Sequence, residues 1–125
     1  MDSRTLFIKG FEYDGQGPDA YFYAGAGADY ASGFLVPNEK GSTDVLRSYD
    51  GSKDLVLTLP SGKTLKGVEW ISVWCRAFDV NFGEVNFPVG YDIITIKLSI
   101  KNTQKQIIFA FTFKILFNLN IIAVA

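Results

Sequence analysis

The segment that most narrows what this chain can fold into is Trp70-Ile71-Ser72-Val73-Trp74-Cys75, because apolar residues occupy both parities at once. Ile71, Val73 and Cys75 fall on one side and Trp70, Ser72 and Trp74 on the other. Successive side chains of a strand point to opposite faces, so a segment apolar on both is a strand covered on both faces. This predicts a central strand. After Arg76 the pattern becomes strict alternation, with Phe78, Val80 and Phe82 inward against Asp79, Asn81 and Gly83. The change predicts a bend or bulge near Cys75 and Arg76.

The rest of the first ninety or so residues is also β-patterned. Thr5 to Phe11, Tyr21 to Tyr23 and Asp54 to Leu59 read as strands, the last with Leu55, Leu57 and Leu59 inward. Turn chemistry separates them: Asp14-Gly15 and Gly17-Pro18-Asp19 form one rigid loop and Pro60-Ser61-Gly62-Lys63 another. Residues 31–53 are polar and turn-rich and read as a long surface connection. The fold class expected is all-β, an antiparallel β-sandwich or barrel-like module. Asp2-Ser3-Arg4 looks like a turn, so the chain is expected to start inside a hairpin whose first strand lies upstream.

Charge divides the chain. Residues 1–92 carry 8 basic and 13 acidic side chains, net −5, while residues 93–125 carry 4 lysines and no acid, net +4. The tail also lacks Gly and Pro. Ile94, Ile96, Leu98 and Ile100 alternate with polar residues, and the odd positions from Ile107 to Ile121 are all apolar. Period two predicts a C-terminal β-hairpin over residues 91–125. A membrane span over 107–125 is the rival, and Lys114 near its centre argues against it, at about 2.5 to 3.5 kcal/mol on the insertion scale.

Histidine is absent. This excludes a Ser-His-Asp or Cys-His nucleophile and a His-ligated zinc or haem inside the chain. A single cysteine allows no internal disulfide and no CxxC pair. The lysines and arginines are too few and too scattered for nucleic acid. Gly25-Ala26-Gly27-Ala28-Asp29-Tyr30 resembles the start of a dinucleotide fingerprint, but Tyr30 stands at the third glycine position and no amphipathic helix follows. Asp14 and Asp19 have two readings, oxygen ligands for a cation or loop-stabilising side chains, and the second is preferred because calcium sites recruit more carboxylates. No metal is therefore expected. Trp70 and Trp74 read either as core packing or as an aromatic platform for a carbohydrate or a cofactor ring.

Residues Tyr13 to Phe22, Asp54 to Pro60, Trp70 to Cys75 and Val80 to Gly83 together resemble the DM13 domain, in the form found in Skeletor-type and Knickkopf-like arthropod proteins. The resemblance spans residues 2–88, so the chain divides into a DM13 domain at 1–90 lacking its first strand and a non-family tail at 91–125. It implies an extracellular module, found in relatives beside DOMON or cytochrome b561 domains. It also implies that Cys75 is a redox residue, in electron transfer or a thiol relay. Such use needs a thiolate with a positive group nearby, and Arg76, next in sequence but on the opposite face of a strand, serves as thiolate stabiliser only if a bulge brings it round. A haem or flavin would then sit on a neighbouring domain or partner, with none in this chain. The alternative is a non-catalytic matrix or scaffold module, in cuticle or chitin organisation or in a Skeletor-like spindle matrix, with a structural cysteine. Met1 to Thr5 carries no secretory signal pattern, so the chain as written reads as an intracellular isoform or a truncated gene model. An unpaired edge left beside Thr5 to Phe11 would invite self-association, unless part of the tail fills it.

Overall fold

The computed structural model describes residues 4–87 and 94–108. Eight strands form two sheets that face each other across one apolar core. The first sheet is built on β1 (Thr5–Tyr13), and the second runs β3 (Phe34–Val36), β2 (Ala20–Gly25), β6 (Trp70–Cys75) and β7 (Val80–Asn86). Neither closes into a barrel.

A parity switch explains β1. Leu6 and Ile8 point into the core, then Gly10 adopts φ 54°, and beyond it Phe11 and Tyr13 point inward instead. The ladder to β8 (Ile94–Ile100) shifts register between Lys9 and Glu12. One extra residue turns the odd positions to the core, and glycine permits the positive φ. The same break divides the other edge of β1, where β5 (Leu55–Thr58) pairs with Thr5 to Ile8 and the short β4 (Tyr49–Asp50) with Glu12 and Tyr13, both antiparallel.

β8 occupies the remaining edge of β1 and runs parallel to it, Leu6 opposite Ile94 and Tyr13 opposite Ile100. The strand expected over Ile94 to Ile100 is therefore present, with Ile94, Ile96, Leu98 and Ile100 buried and Thr95, Lys97 and Ser99 exposed. It has no hairpin partner among the described residues. Where the hairpin would turn, residues 103–108 are helical instead. The remaining residues of the predicted return strand, 109–125, lie outside the described ones. None of the described helices is long and apolar enough to cross a membrane.

Two further readings are revised. The chain does not bend after Cys75 but reverses: residues 76–79 form a turn, with Asp79 at φ 56°, and β7 runs back antiparallel to β6. The bulge falls one step earlier than expected, between Val73 and Trp74, where Phe82 is the extra residue of β7. Residues 31–53 are more structured than a surface connection, since they supply β3, β4 and the buried Leu46.

Candidate functional site

β6 carries every residue singled out in the centre of the sequence, and all six of its side chains are buried. Its ladder sets the directions. Ile71, Val73 and Cys75 join the inter-sheet core, while Trp70, Ser72 and Trp74 face the outer side of the second sheet. Cys75, the last residue of β6, pairs with Ala20 on one side and Val80 on the other. It is a free thiol with 0% of its surface exposed.

The thiol shares this end of the sandwich with Tyr13. Gly17 N donates to the Tyr13 hydroxyl oxygen at 2.9 Å, and the Tyr13 ring stacks against Phe82 at 6.4 Å. Burial, outweighing the Gly17 hydrogen bond and assisted by nearby Asp14 and Cys75, pushes the Tyr13 pKa up to about 12. A reactive thiol needs access and a nearby cation, and this sulfur is closed to solvent.

Arg76 does not correct this. Its side chain lies on the outer face, with the guanidinium carbon 4.1 Å from the Tyr21 ring centroid and Nη2 3.9 Å from Asp19 Oδ1. The Tyr21 hydroxyl donates to that same Asp19 oxygen at 2.7 Å. Neighbouring strand residues point to opposite faces, so Arg76 serves Asp19 and Tyr21 and does not face the sulfur. The ion pair is exposed and therefore screened by solvent.

The two aspartates proposed as cation ligands work in separate networks. Asp19 belongs to the cluster just described. Asp14 accepts from Gln16 N at 3.0 Å through Oδ1 and from Thr103 N at 2.8 Å through Oδ2, tying its loop to the start of the helix after β8. Partial burial would raise its pKa, but the hydrogen bonds from Thr103 and Gln16 outweigh it and hold the carboxyl below its ordinary range. Among the described residues no group of three or more His, Cys, Asp or Glu side chains could hold a metal.

Trp70 is enclosed, at 1% exposure. Tyr30 meets it edge-on at 4.5 Å, and its Nε1–H donates to Gly27 O at 2.9 Å. A Cβ on Gly25 or Gly33 would stand 2.9 or 2.6 Å from its ring atoms. Gly25 and Gly33 are thus the walls of a tryptophan slot, where backbone must approach closely, and Gly27 of the fingerprint-like run supplies the carbonyl at its end. Trp74 is 9% exposed and lies beside Tyr23, ring centroids 6.4 Å apart. Between the two tryptophans the Ser72 hydroxyl is buried without a hydrogen-bond partner among the described residues. Neither tryptophan offers an open stacking face.

A cleft of ≈ 850 Å³ lies elsewhere, bounded by Phe11, Tyr13, Asp14, Glu39, Arg47 and Tyr49 among others. Sequence reading passed over it, because residues 38–53 carry no periodicity. Burial, followed by the hydrogen bond Tyr49 donates to Glu39 at 2.8 Å, raises the Tyr49 pKa.

These features define a two-sheet β-sandwich module with a sealed thiol and no assembled acid/base pair among its described residues. The chain belongs to the DM13 family, described as electron transfer, whose model matches residues 1–87. It is 47% identical over 94 residues to protein Skeletor, isoforms B/C, of Drosophila melanogaster, covering 74% of this chain and 12% of that protein. It is equally similar to isoforms D/E, covering 6% of their length. The match therefore spans a small part of these relatives. No solved structure matches.

Proposed function

We propose that the chain works as a non-catalytic support module within a larger electron-transfer or matrix protein, with Cys75 acting as a core residue. One observation carries this reading: the sulfur is wholly enclosed between the sheets, while the nearest arginine in sequence serves an aspartate and a tyrosine on the other face. A buried free cysteine behaves as a small hydrophobe unless a cation and access make it a thiolate. The family match supports membership of an electron-transfer system, and the small share of each relative covered supports a modular role.

A second reading keeps Cys75 in the redox chemistry. Its support is the family description and the position of Cys75 against the 76–79 turn, whose Asp79 holds a left-handed conformation. Local opening of that turn would uncover the sulfur. The thiolate would then attack a disulfide of a partner, forming a mixed disulfide and releasing the partner's second sulfur as a thiol, or give an electron to a haem or flavin held by a neighbouring domain.

Thiol labelling separates the two. For the support role, a chromogenic disulfide reagent reacts with the native chain no faster than global unfolding allows. An opening of about 4 kcal/mol already slows labelling roughly a thousandfold relative to the unfolded chain. Cys75→Ala should also leave titration with one-electron mediators unchanged. Fast labelling of the native fold, or loss of a redox wave in Cys75→Ala, overturns the support role and establishes the gated thiol.

A further inference from the structure

We propose that the outer face of the second sheet carries an aromatic electron relay, in which Trp74 passes the electron and Tyr21, with Asp19 as its proton acceptor, is the donor that refills it. The inference goes beyond the support role and takes from the comparisons only the family's description as electron transfer. With no histidine in the chain and its one thiol sealed, the readiest electron donors left are the tyrosines and tryptophans. Their placement is not random. Tyr21 and Tyr23 of β2 share the outer face with Trp70 and Trp74 of β6, and Tyr21 stands directly opposite Trp74 in the ladder, a position that brings Cβ atoms to about 5 Å. Each tryptophan of β6 has beside it a tyrosine whose hydroxyl donates to a carboxylate: Tyr21 to Asp19 at 2.7 Å, and Tyr30, which meets Trp70, to Glu84 at 3.3 Å. The first bond is the shorter, and its ring is the better enclosed, at 7% exposure. A third such tyrosine, Tyr49, donates to Glu39 at 2.8 Å but packs on Phe11 at 4.9 Å, and a phenylalanine ring passes no electron in this way.

The chemistry balances as a one-electron step. An oxidant of the high-valent metal-complex class takes one electron from the Trp74 ring, whose edge reaches the surface, and leaves an indole radical cation; no open stacking face is needed for this. One electron from Tyr21 fills the hole and restores Trp74. The Tyr21 O–H bond breaks, and the proton forms a bond to Asp19 Oδ1. The products are a neutral tyrosyl radical, a protonated Asp19 and the oxidant reduced by one electron. Two features favour moving electron and proton together. The hydrogen bond to Asp19, ahead of burial, raises the Tyr21 pKa, so the reaction starts from the neutral phenol. The Arg76 guanidinium, 4.1 Å from the ring centroid, opposes a second positive charge on that ring, so the electron leaves only as the proton goes. Asp19 keeps 27% of its side chain exposed and can hand the proton on to water.

The test is laser-flash oxidation of the full chain by photogenerated tris(bipyridine)ruthenium(III) near pH 7, with tyrosyl radical followed by transient absorption and freeze-quench EPR. A fast phase of tyrosyl formation should be present in the wild type, in Cys75→Ala and in Tyr49→Phe, and absent in Tyr21→Phe. Trp74→Phe should slow it by removing the ring through which the electron passes. Asp19→Asn keeps an oxygen for the hydroxyl but no base, and should slow it about a hundredfold, the lower end of what a positioned proton acceptor supplies. The residual rate in Asp19→Asn should rise with the concentration of buffer base, whereas the wild-type rate should not, a difference that a merely structural Asp19 does not produce. Circular dichroism confirms the fold of each variant, and if Tyr21→Phe does not fold, the buffer dependence of Asp19→Asn decides. The proposal is overturned if the fast phase survives Tyr21→Phe, if Trp74→Phe or Asp19→Asn leaves its rate unchanged, or if it is lost in Cys75→Ala. The last result sends the electron to the thiol and overturns the support role as well; the others leave that role standing.

Discussion

Asp14 is the residue whose loss should be read most clearly. Asp14→Ala removes two acceptors at once, the one held by Gln16 N at 3.0 Å and the one held by Thr103 N at 2.8 Å. An acceptor at a helix N-terminus contributes about 1 kcal/mol, and an exposed turn hydrogen bond about 0.5 kcal/mol. The two together come to about 1.5 kcal/mol, which for a domain of this size lowers the thermal midpoint by about 6 °C. The effect also depends on pH, and its direction follows from the lowered pKa of Asp14. As pH falls the unfolded chain takes up the proton first, near the ordinary carboxylate value of about 3.9. The charge-dependent stabilisation is therefore complete above that value and disappears as pH drops through the lower folded-state value. Asp14→Asn, which keeps one acceptor oxygen and loses the charge, should melt below wild type at pH 7, with a narrower gap at pH 2.5. Circular dichroism melts at the two pH values make the comparison. An equal gap at both, or an Asp14→Ala midpoint indistinguishable from wild type, would refute the assignment of Asp14 as the clasp between its loop and the segment after β8.

Three further substitutions follow from packing. Cys75→Ser places a hydroxyl in an apolar site and should cost about 1 to 3 kcal/mol, more than Cys75→Ala; urea denaturation showing serine as the better tolerated residue would place a polar acceptor beside the sulfur. Trp70→Phe loses the indole bond to Gly27 O together with ring area, and should cost about 2 kcal/mol in urea. Gly33→Ala drives a Cβ to 2.6 Å from the Trp70 ring and 2.8 Å from Ala24 O, whereas at Gly67 nothing lies within 4 Å. Overpacking predicts a loss of about 1 to 3 kcal/mol for the first and almost none for Gly67→Ala, and similar midpoints for the two would sink the idea of a tryptophan slot.

How much of this was legible in the sequence depends on how far apart the interacting residues lie. β6 could be read directly, because double-sided burial leaves apolar residues on both parities between Trp70 and Cys75. The alternation of β8 was equally plain. What alternation cannot give is a partner: the period of Ile94 to Ile100 is the same whether the strand turns back on itself or lies parallel to β1, and only tertiary packing chooses. Reversal at residues 76–79 was read as a bend because Phe78, Val80 and Phe82 keep period two straight through a turn. Arg76 adjoins the thiol in sequence, which in a strand means the opposite face, and its contacts with Asp19 and Tyr21 lie there. Phe34-Leu35-Val36 and Val45-Leu46 are runs too short to set a period, and Tyr49 stands alone between polar residues. In Asp14 a loop signal was visible, but its second partner is 89 residues away in sequence.

The parallel ladder between β1 and β8 joins Leu6 to Ile94, a separation of 88 residues. At a ribosomal pace of about 5 to 20 residues per second, one flank of β1 waits roughly 4 to 18 s for its neighbour. During synthesis, nascent chains on a crowded polysome therefore expose a row of unpaired amides and carbonyls to one another, and protection during that interval falls to chaperones.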